Sequence, residues 1–136
     1  MNNSDRHFID QFENQTLPPE KFNHLGHLRL AWLYLATLPL EDAIATMTHG
    51  LRVYAASLGA SEKFHHTLTE ALLRIMAARI TNGKYTSFDA FLEDNQDIVN
   101  DASAVVAEHY SKDCIMSSAA KESFIQPDKL AIQTIK

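Results

Sequence analysis

Histidine is the residue type in this sequence that most directly suggests chemistry. The chain contains seven histidines, and two of them, His24 and His27, are three residues apart in a segment with a helical pattern. On an ideal helix these side chains lie about 60° apart, so both imidazoles can point at one spot. A helix N-terminus disfavours the imidazolium, and the neutral imidazole is the form that binds a metal ion. The alternative is that the pair caps the helix, stacks on Phe22 or faces solvent.

A second pair, His65 and His66, lies in a segment that predicts a helix beginning near residue 61. On a helical wheel His65 falls on the apolar side, whereas His66 falls on the polar side with Glu70 and Arg74. We therefore expect His65 to face inward and His66 to face outward. A buried histidine needs partners for both ring nitrogens. A metal ion would supply one, and a core hydrogen bond to Thr69 or to a backbone carbonyl is the alternative.

Glu62 and His65 have the Glu-x-x-His spacing of di-iron helical bundles, but the sequence has no second copy of that motif. The sequence instead predicts one divalent metal ion, zinc or iron, bound by His24, His27 and His65. Glu62, water or a substrate would occupy the remaining position. Such a metal can polarise a carbonyl or phosphoryl oxygen or activate water, which suggests a small metal-dependent enzyme of unassigned reaction.

Two other functions use the same residues. One is a non-catalytic binding or interaction module in which the histidines form a buried hydrogen-bond network, and the other is a sensor of a metal or small ligand without turnover. Arg29 could bind a carboxylate or phosphate, or it could pair with a neighbouring acid. Binding of a small-molecule ligand and formation of a homo-oligomer are both compatible with the sequence.

Four segments of the sequence resemble an uncharacterised bacterial family of small helical proteins. They are Phe22–Leu35, Phe64–Thr69, Tyr110-Ser111 and Phe124–Asp128. The family's pattern is F-x-H-x-x-H-L-R-x-A-W, then Y-H-x-T-x-T, then Y-S and F-V-x-P-D, and Phe64 replaces its tyrosine. The resemblance indicates site residues without indicating an activity. By position it implies His24, His27, Arg29, His65, Thr67 and Thr69.

The elements that must position these residues are predicted to be helices, because turn signals divide the chain into helix-sized segments and strand signals are nearly absent. Asn23 is a plausible N-cap for the helix that carries His24, and Thr86 or Ser87 for a later one. Predicted helices cover about residues 4–14, 23–37, 40–57, 61–82, 88–92, 98–110 and 117–124. A start of the second helix at Pro19 is equally possible, because proline suits the first turn of a helix. The expected fold is an all-α bundle of about five to seven helices with short connections, forming a single domain over residues 1–136.

Composition narrows the possible partners and location. The formal net charge is −5, so the chain lacks the basic patch that nucleic-acid binding requires. The longest apolar stretch, residues 28–40, contains Arg29 and is too short to span a bilayer, and no targeting segment is recognisable. The single cysteine, Cys114, excludes an intrachain disulfide and fits a reducing cytoplasm. We therefore expect a cytoplasmic protein that binds neither nucleic acid nor membrane.

Overall fold

The fold is all-α, as the sequence predicts. A computed structural model describes residues 1–133, and within this range the regular secondary structure is helical, with no strand. The helices are α1 (Asn3–Glu13), α2 (His24–Thr37), α3 (Leu40–Ser57), α4 (His66–Gly83), α5 (Phe88–Asp94), α6 (Gln96–Ala107), α7 (Lys112–Ile115) and α8 (Ser118–Glu122). None of these helices is long and apolar enough to cross a lipid bilayer.

Short polar side chains begin several of these helices. Asn23 caps α2 by accepting a hydrogen bond from the Gly26 amide at 2.9 Å, and Ser87 caps α5 by accepting one from the Ala90 amide. Each cap satisfies an amide that has no partner within its own helix. The predicted N-caps are therefore confirmed at Asn23 and at Ser87.

The chain divides into two compact units, residues 1–64 and the residues from 65 onward, and each is described by itself. The first unit contains α1 to α3 around an aromatic cluster of Phe12, Phe22 and Tyr54, with ring centroids 5.2 to 5.5 Å apart. The Tyr54 hydroxyl donates to the carbonyl of Leu17 at 2.7 Å. This bond ties the segment after α1 to α3.

The second unit contains α4 to α8. Its core side chains are almost completely inaccessible to solvent and include Leu73, Met76, Phe91, Ile98 and Val106. The C-terminal segment, which we define as residues 123–130, follows α8 without regular secondary structure. Hydrogen bonds hold it to the rest of the second unit. The Lys129 amide donates to the His109 carbonyl at 3.0 Å, and several residues of the predicted site make side-chain bonds to the segment.

Candidate functional site

His24 and His27 occupy the first turn of α2, as predicted. The His27 ring stacks on Phe22 with ring centroids 4.0 Å apart and the planes inclined by 24°. Burial, with a smaller contribution from the nearby His24, lowers the pKa of His27 to about 4. His27 is consequently neutral at neutral pH, while the His24 side chain is exposed. The structure brings these two residues together and also shows the stacking on Phe22 that the sequence offered as an alternative.

Arg29 is engaged within the first unit. Its guanidinium forms an ion pair with Asp5 at 2.9 Å and donates to the Ser4 hydroxyl at 3.2 Å. The same group lies 4.4 Å above the centre of the Phe8 ring. The ion pair with an acid, one of the two alternatives for this residue, is therefore the arrangement observed.

Helix α4 begins later than the sequence predicts. Residues 61–63, which include Glu62, form a separate 3-10 turn, Phe64 is extended, and α4 begins only at His66. Glu62 and His65 therefore do not share a helical face, so their Glu-x-x-His spacing does not act as it does in di-iron bundles. His65 is instead the N-cap of α4, because its Nδ1 accepts a hydrogen bond from the Leu68 amide at 3.0 Å.

The second ring nitrogen of His65 is also occupied. Nε2 lies 2.7 Å from the carbonyl oxygen of Ile115. Because Nδ1 accepts from an amide, the ring must carry its proton on Nε2, which then donates to Ile115. His65 thus has the backbone-carbonyl bond that the sequence offered as the alternative to a metal.

Thr67 fastens the C-terminal segment to α4. It is fully buried, its hydroxyl donates to the carbonyl of Ser123 at 2.7 Å, and the same oxygen accepts from the amide of Ile125 at 3.1 Å. The Tyr110 hydroxyl donates to the Ile125 carbonyl at 2.6 Å. Thr69 acts locally, since its hydroxyl donates to the backbone carbonyl of His65 rather than to the ring.

Two further contacts hold the C-terminal segment. The Asp128 carboxylate accepts from both the amide and the hydroxyl of Ser111. His109 follows α6 and is buried, and its Nδ1 lies 2.7 Å from the carbonyl oxygen of Leu130. Residues of the Phe64–Thr69, Tyr110-Ser111 and Phe124–Asp128 motifs thus supply hydrogen bonds within the second unit.

The Asp128 contacts predict a dependence of stability on pH. The Ser111 donors hold the pKa of the Asp128 carboxyl below its ordinary value of 3.8. The contribution of the Asp128 carboxylate to stability is therefore complete at a pH above its ordinary pKa, and it is lost as the pH falls through the lower pKa of the folded state. We expect D128N to unfold at lower urea concentration than the wild type at neutral pH, and the gap to close on acidification. Asp113→Asn is the control variant, and a gap that does not change with pH would contradict the prediction.

Helix α4 contains a buried charge that the sequence pattern does not reveal. His66, Glu70 and Arg74 lie together as expected, but Glu70 is buried rather than facing outward. One carboxylate oxygen of Glu70 lies 3.0 Å from Nε2 of His66, and the other accepts from the Arg74 guanidinium at 3.0 Å. A carboxylate with partners one turn away on either side can be buried, so the polar pattern alone does not show that it is exposed.

The first unit also has a groove that the sequence does not predict; it opens to solvent and has a volume of about 470 Å³. Glu13 and Tyr34 line it together with one face of α3, namely Ala45, Thr46, His49, Gly50 and Val53. The Tyr34 hydroxyl donates to Oε2 of Glu13 at 2.7 Å. The available sequence signal is the helical spacing of Ala45, Thr46, His49 and Gly50, which places small or polar side chains on one side of a helix.

No group of three or more His, Cys, Asp or Glu side chains among residues 1–133 is arranged to hold a metal ion. Comparison of the chain with protein-family models, with curated proteins and with solved structures found no match. Only the geometry and the contacts of the side chains therefore indicate the function.

Proposed function

We infer that the chain is a non-catalytic helical binding module in which the histidines of the second unit act as structural hydrogen-bonding groups. The observation that carries this proposal is the occupation of both ring nitrogens of His65, one by the Leu68 amide and the other by the Ile115 carbonyl. A metal ion needs the lone pair of a deprotonated ring nitrogen. Coordination by His65 would therefore break one of these two bonds, either the cap of α4 or the link to Ile115.

The pKa shifts of four other groups support a role without acid–base chemistry. Burial lowers the pKa of His27 to about 4 and raises that of Tyr110 to about 12. Burial also raises the pKa of the Cys114 thiol, and burial with the bond to Glu13 raises that of Tyr34. A general acid or base works best with a pKa near the operating pH. All four shifts move the pKa of the group further from neutral pH, so each group keeps a single protonation state there.

A second candidate function is metal binding through the first unit. His24 and His27 lie one turn apart at the start of α2, close enough for the charge of one to affect the other, and His27 is neutral. In this proposal a divalent ion, zinc or iron, is bound by His24 and His27, with Glu62 of the same unit as a further ligand. An open coordination position would then make the protein a metal-dependent enzyme of unassigned reaction.

Metal analysis of untagged protein separates the two proposals. Under the binding-module proposal we expect no stoichiometric metal by elemental analysis, and the same weak response to added zinc in the wild type and in His65→Gln. The His65→Gln change should lower the free energy of unfolding by about 1 to 2 kcal/mol, because it disturbs two partly buried hydrogen bonds. His66→Gln is the control for the loss of one histidine from the same segment.

The opposite result is equally specific. One equivalent of bound metal that is lost in His27→Gln, and retained in His65→Gln and His66→Gln, would overturn the binding-module proposal and support the metal site of the first unit. The cytoplasm remains the proposed location, since a reducing compartment keeps the single Cys114 as a free thiol.

A further inference from the structure

We propose that the groove of the first unit binds a small organic cation, with Glu13 as its counter-ion. This inference rests on the proposed function as a binding module and names the class of its ligand. The volume of the groove, about 470 Å³, falls within the range of small-molecule sites. Ala45 contributes to that space, because its side chain is too short to fill it.

Close packing between α1 and α3 fixes the base of the groove. At Gly50 a Cβ atom would lie 2.7 Å from the ring of Phe12, so this position admits only glycine without a shift of the ring. Phe12 is fully buried against Phe22 and Tyr54, which leaves it little room to move. A ligand therefore meets a surface that does not have to be reorganised, which lowers the entropic cost of binding.

The charge in the groove selects a cation. Glu13 is the only formally charged side chain among the lining residues, apart from the ionisable His49, and no lysine or arginine lines it. The Tyr34 hydroxyl donates to Oε2, and no residue of the described part of the chain donates a hydrogen bond to Oε1. Burial and the bond to Glu13 raise the pKa of Tyr34, so its hydroxyl remains a donor and the Glu13 carboxylate its acceptor.

The remaining lining groups fit an alkylammonium head with a short aliphatic body. An ammonium group has three N–H donors, of which one can reach a carboxylate oxygen and the others can reach hydroxyl or imidazole acceptors. Thr46 and His49 offer such acceptors on α3, one turn apart. Ala45 and Val53 supply apolar surface on the same helix face. A carboxylate ligand would instead meet the charge of Glu13 and be repelled.

The test uses two probes of equal length and opposite charge, butylammonium and butanoate, added to the metal-free full chain. Binding is followed by the amide resonances of Thr46, Gly50 and Val53 in two-dimensional ¹H–¹⁵N NMR spectra. We expect saturable shifts with butylammonium and none with butanoate. Glu13→Gln keeps an oxygen that can accept from Tyr34 but removes the charge, and should weaken butylammonium binding about tenfold.

Two control variants make the result specific to the groove. Asp10→Asn removes a charge from an exposed position of α1 that does not line the groove, and should leave the affinity unchanged. Ala45→Leu fills the groove from an exposed helix position, where the fold tolerates the larger side chain, and should abolish binding. Equal shifts with both probes, or equal affinity in Glu13→Gln and Asp10→Asn, would overturn the proposal.

The ligand class and the binding-module function can fail separately. An absence of shifts with butylammonium in correctly folded protein overturns the ligand class, whatever the metal content. The elemental analysis of His27→Gln and His65→Gln decides the binding-module proposal, whatever the result with the amine.

Discussion

Thr67→Val should lower the free energy of unfolding by about 3 kcal/mol, although the two side chains have nearly the same shape. The Thr67 hydroxyl is the donor to the Ser123 carbonyl and the acceptor for the Ile125 amide. Valine replaces the hydroxyl with a methyl group and leaves both backbone groups unpaired beside a fully buried position. Each unsatisfied buried group costs about 1 to 3 kcal/mol, and partial access of solvent to Ser123 reduces the sum.

The matched control for this variant is Thr69→Val, in the same turn of α4. The Thr69 hydroxyl donates to the His65 carbonyl, which also accepts from the Thr69 amide, so its loss leaves no backbone group unpaired. We expect this control to cost less than about 1 kcal/mol. Urea unfolding measures both values, and hydrogen exchange at the Ile125 amide reports the local effect. Equal destabilisation by the two variants, or continued protection of Ile125 in Thr67→Val, would show that the threonine does not hold the C-terminal segment.

The second large effect is a loss of stability in mild acid caused by His27. Its folded pKa of about 4 lies below the ordinary value of 6.5, so the unfolded chain takes up a proton more readily than the folded one. The contribution of neutral His27 is therefore complete above 6.5 and decreases as the pH falls to about 4. Across that window the wild type should lose up to about 3 kcal/mol relative to His27→Gln, which carries no ionisable group.

The physical cause can be tested within α2. Burial against Phe22 is the larger cause of the shift and the charge of His24 the smaller one. His24→Gln should therefore raise the pKa of His27 by less than Phe22→Leu does, since leucine opens the ring of His27 to solvent. An NMR titration of the imidazole protons measures each value. Titration of wild-type His27 near 6.5 would mean that its ring is solvated and would remove the predicted loss of stability.

The extent of most helices could be predicted from the sequence, because the signals for them are local. Asn23 precedes α2 with a side chain that caps the Gly26 amide, and Pro39 separates α2 from α3. The predicted helices over residues 23–37 and 40–57 agree closely with α2 and α3. Capping groups and prolines act within one turn, so their effect does not depend on the rest of the fold.

The start of α4 shows where local signals fail. The sequence favoured a helix beginning near residue 61, but the chain remains extended at Phe64 and the helix begins after His65. Histidine is not among the usual N-capping residues. The ring of His65 is held in the capping position by the Ile115 carbonyl, which is 50 residues away in sequence and bonds the other ring nitrogen. A helical wheel cannot give the orientation of His65, because this residue precedes the first residue of α4.

The roles of the candidate site residues depend on contacts between segments that are far apart in the sequence. By itself the sequence determined that the chain is helical, where most helices begin and end, and that His24 and His27 lie side by side. Only the tertiary structure decided that Arg29 pairs with Asp5 and that Thr67 holds Ile125, 58 residues away. Helix formation follows from neighbours within four residues, whereas the partner of a buried polar group is set by the packing that brings distant segments together.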